Sequence, residues 1–164
     1  MFRATVYETS RLATYAPDVL VSSSEPKALE TAHLVAQRMH TSVQVVDGLQ
    51  EHDRSNTPWL GPEEFGRAIA AFFRHPTELV LGCETAQQAS ERFAKTVTEV
   101  TSRYAEQNVV ILTHGTVLSL FVSRATGMEP FVLWKRLGFP SFVVLRLPQL
   151  ELVSVVEKLM AAQP

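Results

Sequence analysis

The stretch that most constrains this chain is Val109–Thr116, VVILTHGT. Four consecutive apolar residues run into Thr113, His114 and Gly115, and an apolar helical pattern follows at once from Thr116 to Thr126. A short, continuously apolar run of this kind reads as a buried, parallel strand. In an open α/β sheet the carboxyl edge of such a strand is where ligands bind. Gly115 allows a tight turn there, and Thr116 is suited to cap the helix. The free N–H groups at the helix start then offer an anion site. His114 is therefore expected beside a place that favours a phosphate or a carboxylate. A lone histidine at a helix start is more often structural, but the strand–His–Gly–helix context tips the balance towards function.

The rest of the chain alternates in the same way. Residues 1 to 15 are ambiguous between strand and helix, with the tail of a helix ending at Tyr15-Ala16-Pro17 preferred, because proline disfavours helix at the residue before it. A strand is expected over Asp18–Ser22, a helix from Pro26 to about Met39 burying Leu29, Ala32, Ala36 and Met39, and a strand over Ser42–Val46. A polar loop, Asp47–Gly61, leads to a helix that Pro62 starts and Pro76 ends. A longer helix is expected from Glu84 to about Tyr104, then the organising strand and its helix, ended near Gly127. A short helix over Glu129–Leu137, a strand over Ser141–Leu147 and an antiparallel partner over Leu152–Val156 close the order. Strands alternating with helices predict a three-layer α/β/α sandwich with a mostly parallel sheet.

At 164 residues this is one domain, 1–164, with room for a real core. The net charge of −2 provides no basic field, so nucleic acid is not an expected partner. The N-terminus lacks an apolar signal region, and no apolar run is long enough to span a bilayer, so no membrane partner is expected. The single cysteine, Cys83, cannot form an internal disulfide and fits a reducing compartment, hence a cytoplasmic location. There is no G-x-S-x-G elbow and no Walker or dinucleotide glycine pattern. His33, His40, His52, His75 and His114 show no zinc-binding spacing, so neither a metal nor an organic cofactor is expected.

Three further stretches bear on chemistry. Ser22-Ser23-Ser24-Glu25-Pro26-Lys27 lies where a strand ends and a helix begins. Lys27 stands in the first turn, where the helix dipole disfavours a cation, which makes sense if it helps to hold an anion. An exposed, snorkelling lysine is equally compatible. Glu51, in LQEHDRS, is suited to general acid or base work, or else is a solvated carboxylate pairing with Arg54. Gly82-Cys83-Glu84-Thr85 reads as a helix start, with Cys83 a buried, inert thiol.

Together these stretches resemble the histidine phosphatase superfamily, the phosphoglycerate mutase-like group. SSSEPKALETA is similar to that family's S-S-x-x-x-R-A-x-x-T-A segment, and LQEHD to its L-x-E segment. GCETAQQASERF resembles its G-E-S/T segment, and VVILTHGTV its late strand–His–Gly segment. The order and rough spacing agree from about Leu12 to Val156. The resemblance implies a phosphoglycerate mutase-like fold and transfer of a phosphoryl group through a phosphohistidine. It implies Glu51 as proton donor to the leaving oxygen, His114 and Lys27 in the phosphate pocket, and Ser22 and Gly115 shaping its walls.

Two departures qualify that expectation. The family's nucleophilic histidine lies in an R-H-G motif on its first strand, between the strands matching Val109–Thr113 and Ser141–Leu147. No R-H-G or R-H-x precedes Asp18 here, so the first central strand is expected to be missing and the domain to be N-terminally incomplete. Residues Phe2 to Glu8 can run as a strand but bring no histidine. Loss of a central strand exposes two sheet edges. Lys27 stands where the family has arginine, keeping the charge but losing bidentate recognition of phosphate. The expectation is a phosphomonoesterase acting on a small phosphorylated substrate, impaired as the chain stands. A mutase is less favoured. The alternatives are a non-catalytic module binding phosphate, a phosphorylated ligand or a partner protein, and a purely structural relic. Substrate identity, expected to be set by loops such as Asn56–Gly61, and the oligomeric state stay open.

Overall fold

The computed structural model describes residues 11–138 and 141–157. The strand-or-helix question over residues 1–10 lies outside them; residues 11–13 are helical and a turn follows. The elements are β1 (Val19–Ser22), α1 (Pro26–Met39), β2 (Val43–Val45), α2 (Pro62–Arg74), α3 (Ala86–Arg103), β3 (Val109–Leu112), α4 (Gly115–Thr126), α5 (Pro130–Arg136), β4 (Phe142–Arg146) and β5 (Glu151–Val156).

Strands β2, β1 and β3 form a parallel sheet in that spatial order, with Val19 opposite Val109 and Leu20 opposite Val43. Side chains alternate across a strand, so the two faces take different partners. Val19, Val21, Val109 and Ile111 pack with Ile69, Phe72, Phe93, Val97, Val117 and Phe121 of α2, α3 and α4. Leu20, Val110 and Leu112 pack with Val35, Ala36 and Met39 of α1. Helices on both faces make the three layers. Phe72 and Phe93 are almost fully buried, and each contributes about 1.5 to 3 kcal/mol of transfer free energy. The buried face of α1 is Ala28, Ala32, Val35 and Ala36. It is therefore rotated from the expected one: Leu29 and Met39 lie at its margins, half-buried.

Strands β4 and β5 form a separate antiparallel hairpin, with an irregular register between Val144 and Leu145. Among the described residues no strand pairs with the second edge of β3 or of β4. Burial records the consequence. All four residues of β1, the middle strand, are buried, whereas all four of β3 are only half-buried despite being as apolar.

Helix ends follow local chemistry. Pro26, Pro62 and Pro130 each open a helix, where the missing N–H costs nothing. Thr85 caps α3 in a reciprocal capping box with Gln88. Gly127 ends α4 with φ +74°, the left-handed cap that glycine suits. No helix among the described residues is long and apolar enough to cross a membrane.

Candidate functional site

The site lies at the carboxyl edge of the parallel sheet. β1 runs into Ser22–Glu25 and β3 into Thr113–His114, so two strand ends deliver polar groups side by side. The loop after β2 brings Glu51 to the same place. Thr113 Oγ1 donates to Leu49 O at 2.8 Å and ties that loop to the end of β3.

Helix α4 begins without a cap of its own. Its N-cap residue is His114, whose side chain makes no capping bond, and Thr116 Oγ1 is buried without a partner. Glu51 supplies the cap from another loop. Its Oε2 accepts the Thr116 N–H and its Oε1 the Val117 N–H, both at 3.2 Å. Oε1 also accepts the His52 N–H at 2.9 Å. A carboxylate at a helix N-terminus gains from both the free donors and the dipole. The Glu51 side chain is only 15% exposed, and Arg54 stays 4.0 Å away, so its partner is the helix start more than the arginine.

His114 faces Ser23 and Glu25. Its Nε2 is 2.8 Å from Glu25 Oε2 and 3.0 Å from Ser23 Oγ. An ionised carboxylate only accepts, so the Nε2 proton is directed to it. The same Glu25 Oε2 accepts the Glu51 N–H at 2.6 Å. Glu25 thus links the histidine to the backbone that carries Glu51.

Arg92 of α3 holds that backbone from the other side. Its Nη1 donates to Gly48 O and Gln50 O, both at 3.0 Å, and its Nη2 to Glu51 O at 3.2 Å. Nη2 and Nε also donate to the two oxygens of Glu84, at 2.6 and 3.3 Å. All five guanidinium donors are spent on this loop and on Glu84. Glu84 in turn accepts the Asp53 N–H at 3.0 Å.

His52 is buried, stacked on Phe72 at 4.0 Å between ring centres. Its Nε2 donates to Leu81 O at 2.7 Å, which leaves Nδ1 unprotonated and without a partner. Burial pushes its pKa below the ordinary 6.5, and the Leu81 carbonyl and the neighbouring carboxylates offset that only in part. Asp53 is held below its usual value by hydrogen bonds from Ser55, its N–H first. His52 therefore pins the Glu51 loop to the loop before α3. Gly82 completes that junction: its φ is +79°, and a Cβ there would lie 2.1 Å from Asp53 O.

The residues expected from the sequence fall in different places. Glu51, His114 and Gly115 meet at the start of α4. Ser22 is fully buried, but its hydroxyl donates to Ser23 O, and the serine that reaches His114 is Ser23. Lys27 is exposed in the first turn of α1, and its ammonium makes no ion pair among the described residues. Cys83, expected to be buried, is exposed 3.6 Å from Ser55 Oγ, because the turn at Gly82 carries it out over the 53–55 loop. Ser23 and Glu25 lie within the stretch picked out from the sequence but carried no role of their own there, and Arg92 was not singled out. An arginine beside the apolar stripe of α3, between Ala89 and Phe93, was the one signal for the last of these.

A cleft of about 600 Å³ opens here, lined among others by Glu25, Glu51, Asp53, Arg54, Glu84 and Arg92. Arg54 lies over the Phe65 ring, 4.9 Å from its centre. A second cleft, between residues 125–128 and 149–152, has Glu151 as its one titratable lining residue. Among the described residues no three His, Cys, Asp or Glu side chains converge as a metal site.

The parallel sheet thus brings a histidine at one strand end, a loop carboxylate and the start of the following helix together at its carboxyl edge. Residues 8–147 match the histidine phosphatase superfamily (branch 1), and the chain belongs to that superfamily. It is 22% identical, over 113 residues, to a Bacillus subtilis (strain 168) protein named Uncharacterized phosphatase PhoE. That match covers 69% of this chain and 55% of the relative, so the chain spans about half the length of the curated relative. The fold is shared with Bacillus stearothermophilus YhfR, at a TM-score of 0.73 and 19% identity, over 94% of this chain and 80% of that one. It is also shared with an Entamoeba histolytica phosphoserine phosphatase solved with phosphoserine, at a TM-score of 0.72 and 18% identity, over 93% and 80% of the two chains. The expected phosphoglycerate mutase-like architecture is thus present, with its parallel sheet and terminal hairpin.

Proposed function

We propose that this chain is a histidine-phosphatase-type phosphomonoesterase domain acting on small phosphorylated substrates in the cytoplasm, and that residues 1–164 alone are severely impaired in phosphoryl transfer. The observation that carries the reading is the meeting of Glu51 and His114 at the start of α4, beside Ser23. In the reaction Glu51 protonates the leaving oxygen. His114 and Ser23 stabilise charge on the transferring group, and Gly115 shapes the pocket wall. Ser22 shapes the pocket from beneath through Ser23. Lys27 attracts the phosphate from the rim, as an exposed cation does, rather than as a fixed ligand.

The impairment rests on chemistry. Phosphoryl transfer in this class needs a nucleophilic histidine in line with the leaving oxygen. His114 is already engaged by Glu25, and His52 is buried against Phe72 with its Nε2 bound. The half-buried strands β3 and β4, each without a partner on its second edge among the described residues, support a domain that is N-terminally incomplete as it stands.

Hydrolysis of p-nitrophenyl phosphate by the purified 164-residue chain, against His114→Ala, tests the reading. Turnover is expected to be at or near background for both. Clear turnover lost in His114→Ala would show that a second histidine is dispensable and would overturn the mechanism. The reading of a non-catalytic module is favoured by one observation, the occupation of His114 by a carboxylate of the chain itself. Phosphate binding without turnover, lost in His114→Ala, would support it.

A further inference from the structure

The helix start and His114 are already met by carboxylates of the chain. Glu51 takes the first free N–H groups of α4, and Glu25 takes His114. The two carboxylates are held differently. Glu51 is 15% exposed and accepts three backbone N–H groups. Glu25 is 41% exposed and lies on the wall of the cleft. It is also the N-cap residue of α1, where an acidic side chain ordinarily accepts the N–H of its own helix. It makes no such bond. Its carboxylate is turned away from α1 to Nε2 of His114 and the N–H of Glu51.

We infer that Glu25 is an intramolecular competitor for phosphate at His114: its carboxylate stands where a phosphoryl oxygen would be bound and swings into the cleft when the ligand arrives. This rests on the proposed phosphate site and adds its regulation. A phosphate dianion and the Glu25 carboxylate cannot share the Nε2 proton, because like charges at hydrogen-bond distance repel. The exchange is open to Glu25 because its side chain borders solvent, and a water can take over its bond from the Glu51 N–H. Glu51 has no such freedom and stays on the helix start. In the released position Glu25 is free to accept the one open N–H at the start of α1, that of Lys27, so its displacement is partly compensated.

The test is titration with inorganic phosphate, followed by calorimetry at fixed pH and ionic strength, on the 164-residue chain and three variants. Glu25→Gln keeps the shape and removes the charge, and Glu25→Ala removes the competitor. Both are expected to bind phosphate about tenfold tighter than the parent, the loss of one charged hydrogen-bond rival. His114→Gln added to Glu25→Gln is expected to abolish the gain. Equal or weaker binding by both folded Glu25 variants, with the parent still binding through His114, overturns the inference and leaves the phosphate site standing. Absence of phosphate binding in parent and Glu25 variants alike overturns both. Tighter binding that survives loss of His114 also overturns the inference, since the competition would then lie elsewhere.

Discussion

Arg92→Met is the substitution that tests most of the site's construction. The guanidinium makes two bonds to Glu84 and three to the carbonyls of Gly48, Gln50 and Glu51. Methionine fills much of the same volume but donates nothing, so three carbonyls and one carboxylate lose their partner. Breaking a buried ion pair from one side costs about 3 to 5 kcal/mol. Here Arg92 is 29% and Glu84 15% exposed, so water recovers part of that. A loss of about 3 kcal/mol of stability is expected, lowering Tm by about 6 to 12 °C in a domain of this size. Urea unfolding followed by circular dichroism reads it directly. Arg92→Lys should recover less than half, because an ammonium cannot bridge Glu84 and three carbonyls at once. The added substitution Glu84→Gln should soften Arg92→Met, since the uncompensated charge is then gone. A loss below about 0.5 kcal/mol for Arg92→Met, or full rescue by lysine, would refute the account of Arg92 as the clamp on the Glu51 loop.

Two further perturbations probe the same junction. Gly82→Ala combines a left-handed backbone with a Cβ 2.1 Å from Asp53 O. A loss of about 3 kcal/mol is expected in urea unfolding, and an unchanged midpoint would contradict the packing of the two loops. His52 has a folded-state pKa below its unfolded value, so the unfolded chain takes up the proton first as pH falls. Its contribution is therefore fully present above about pH 6.5 and is lost as pH falls through the lowered folded value. His52→Gln should flatten the dependence of Tm between pH 7.5 and 5.5. An equal slope in parent and variant would mean that His52 is not held neutral.

The sheet and its helices were legible because their signals are local. β1 and β3 are short apolar runs bounded by polar turns, and α1, α2 and α5 announce themselves by a proline in the first turn. The hairpin followed from Pro148 and the alternation after it. Trp134 illustrates where pattern alone stops: with Phe65 and Phe131 it forms a half-buried aromatic group, and the fully buried residue of α5 is its neighbour Leu133. The exposure of Cys83 was not legible either, because it depends on the turn at Gly82 and on which loop lies beneath it.

The site was legible in its parts and not in its wiring. A carboxylate in a loop is visible in sequence, but Thr116, which reads as the cap of α4, lies inside the helix with its hydroxyl unpartnered. That Glu51 caps α4 is visible only once the end of β2 is placed beside the end of β3, since 65 positions separate Glu51 from Thr116. The same holds for Glu25. An acidic residue just before Pro26 reads as a helix cap, and the sequence offers no reason to deny it that partner. The competition is decided by exposure. The start of α1 offers one open backbone donor, the Lys27 N–H, at an exposed turn. His114 offers a donor in a site 13% exposed, beside a second N–H from Glu51. A carboxylate gains more where water is scarcer, so Glu25 turns inward and His114, expected to hold a phosphate, is met by one of the protein's own acids. Binding of phosphate here is then an exchange of one anion for another, and its strength is set by how loosely Glu25 is held.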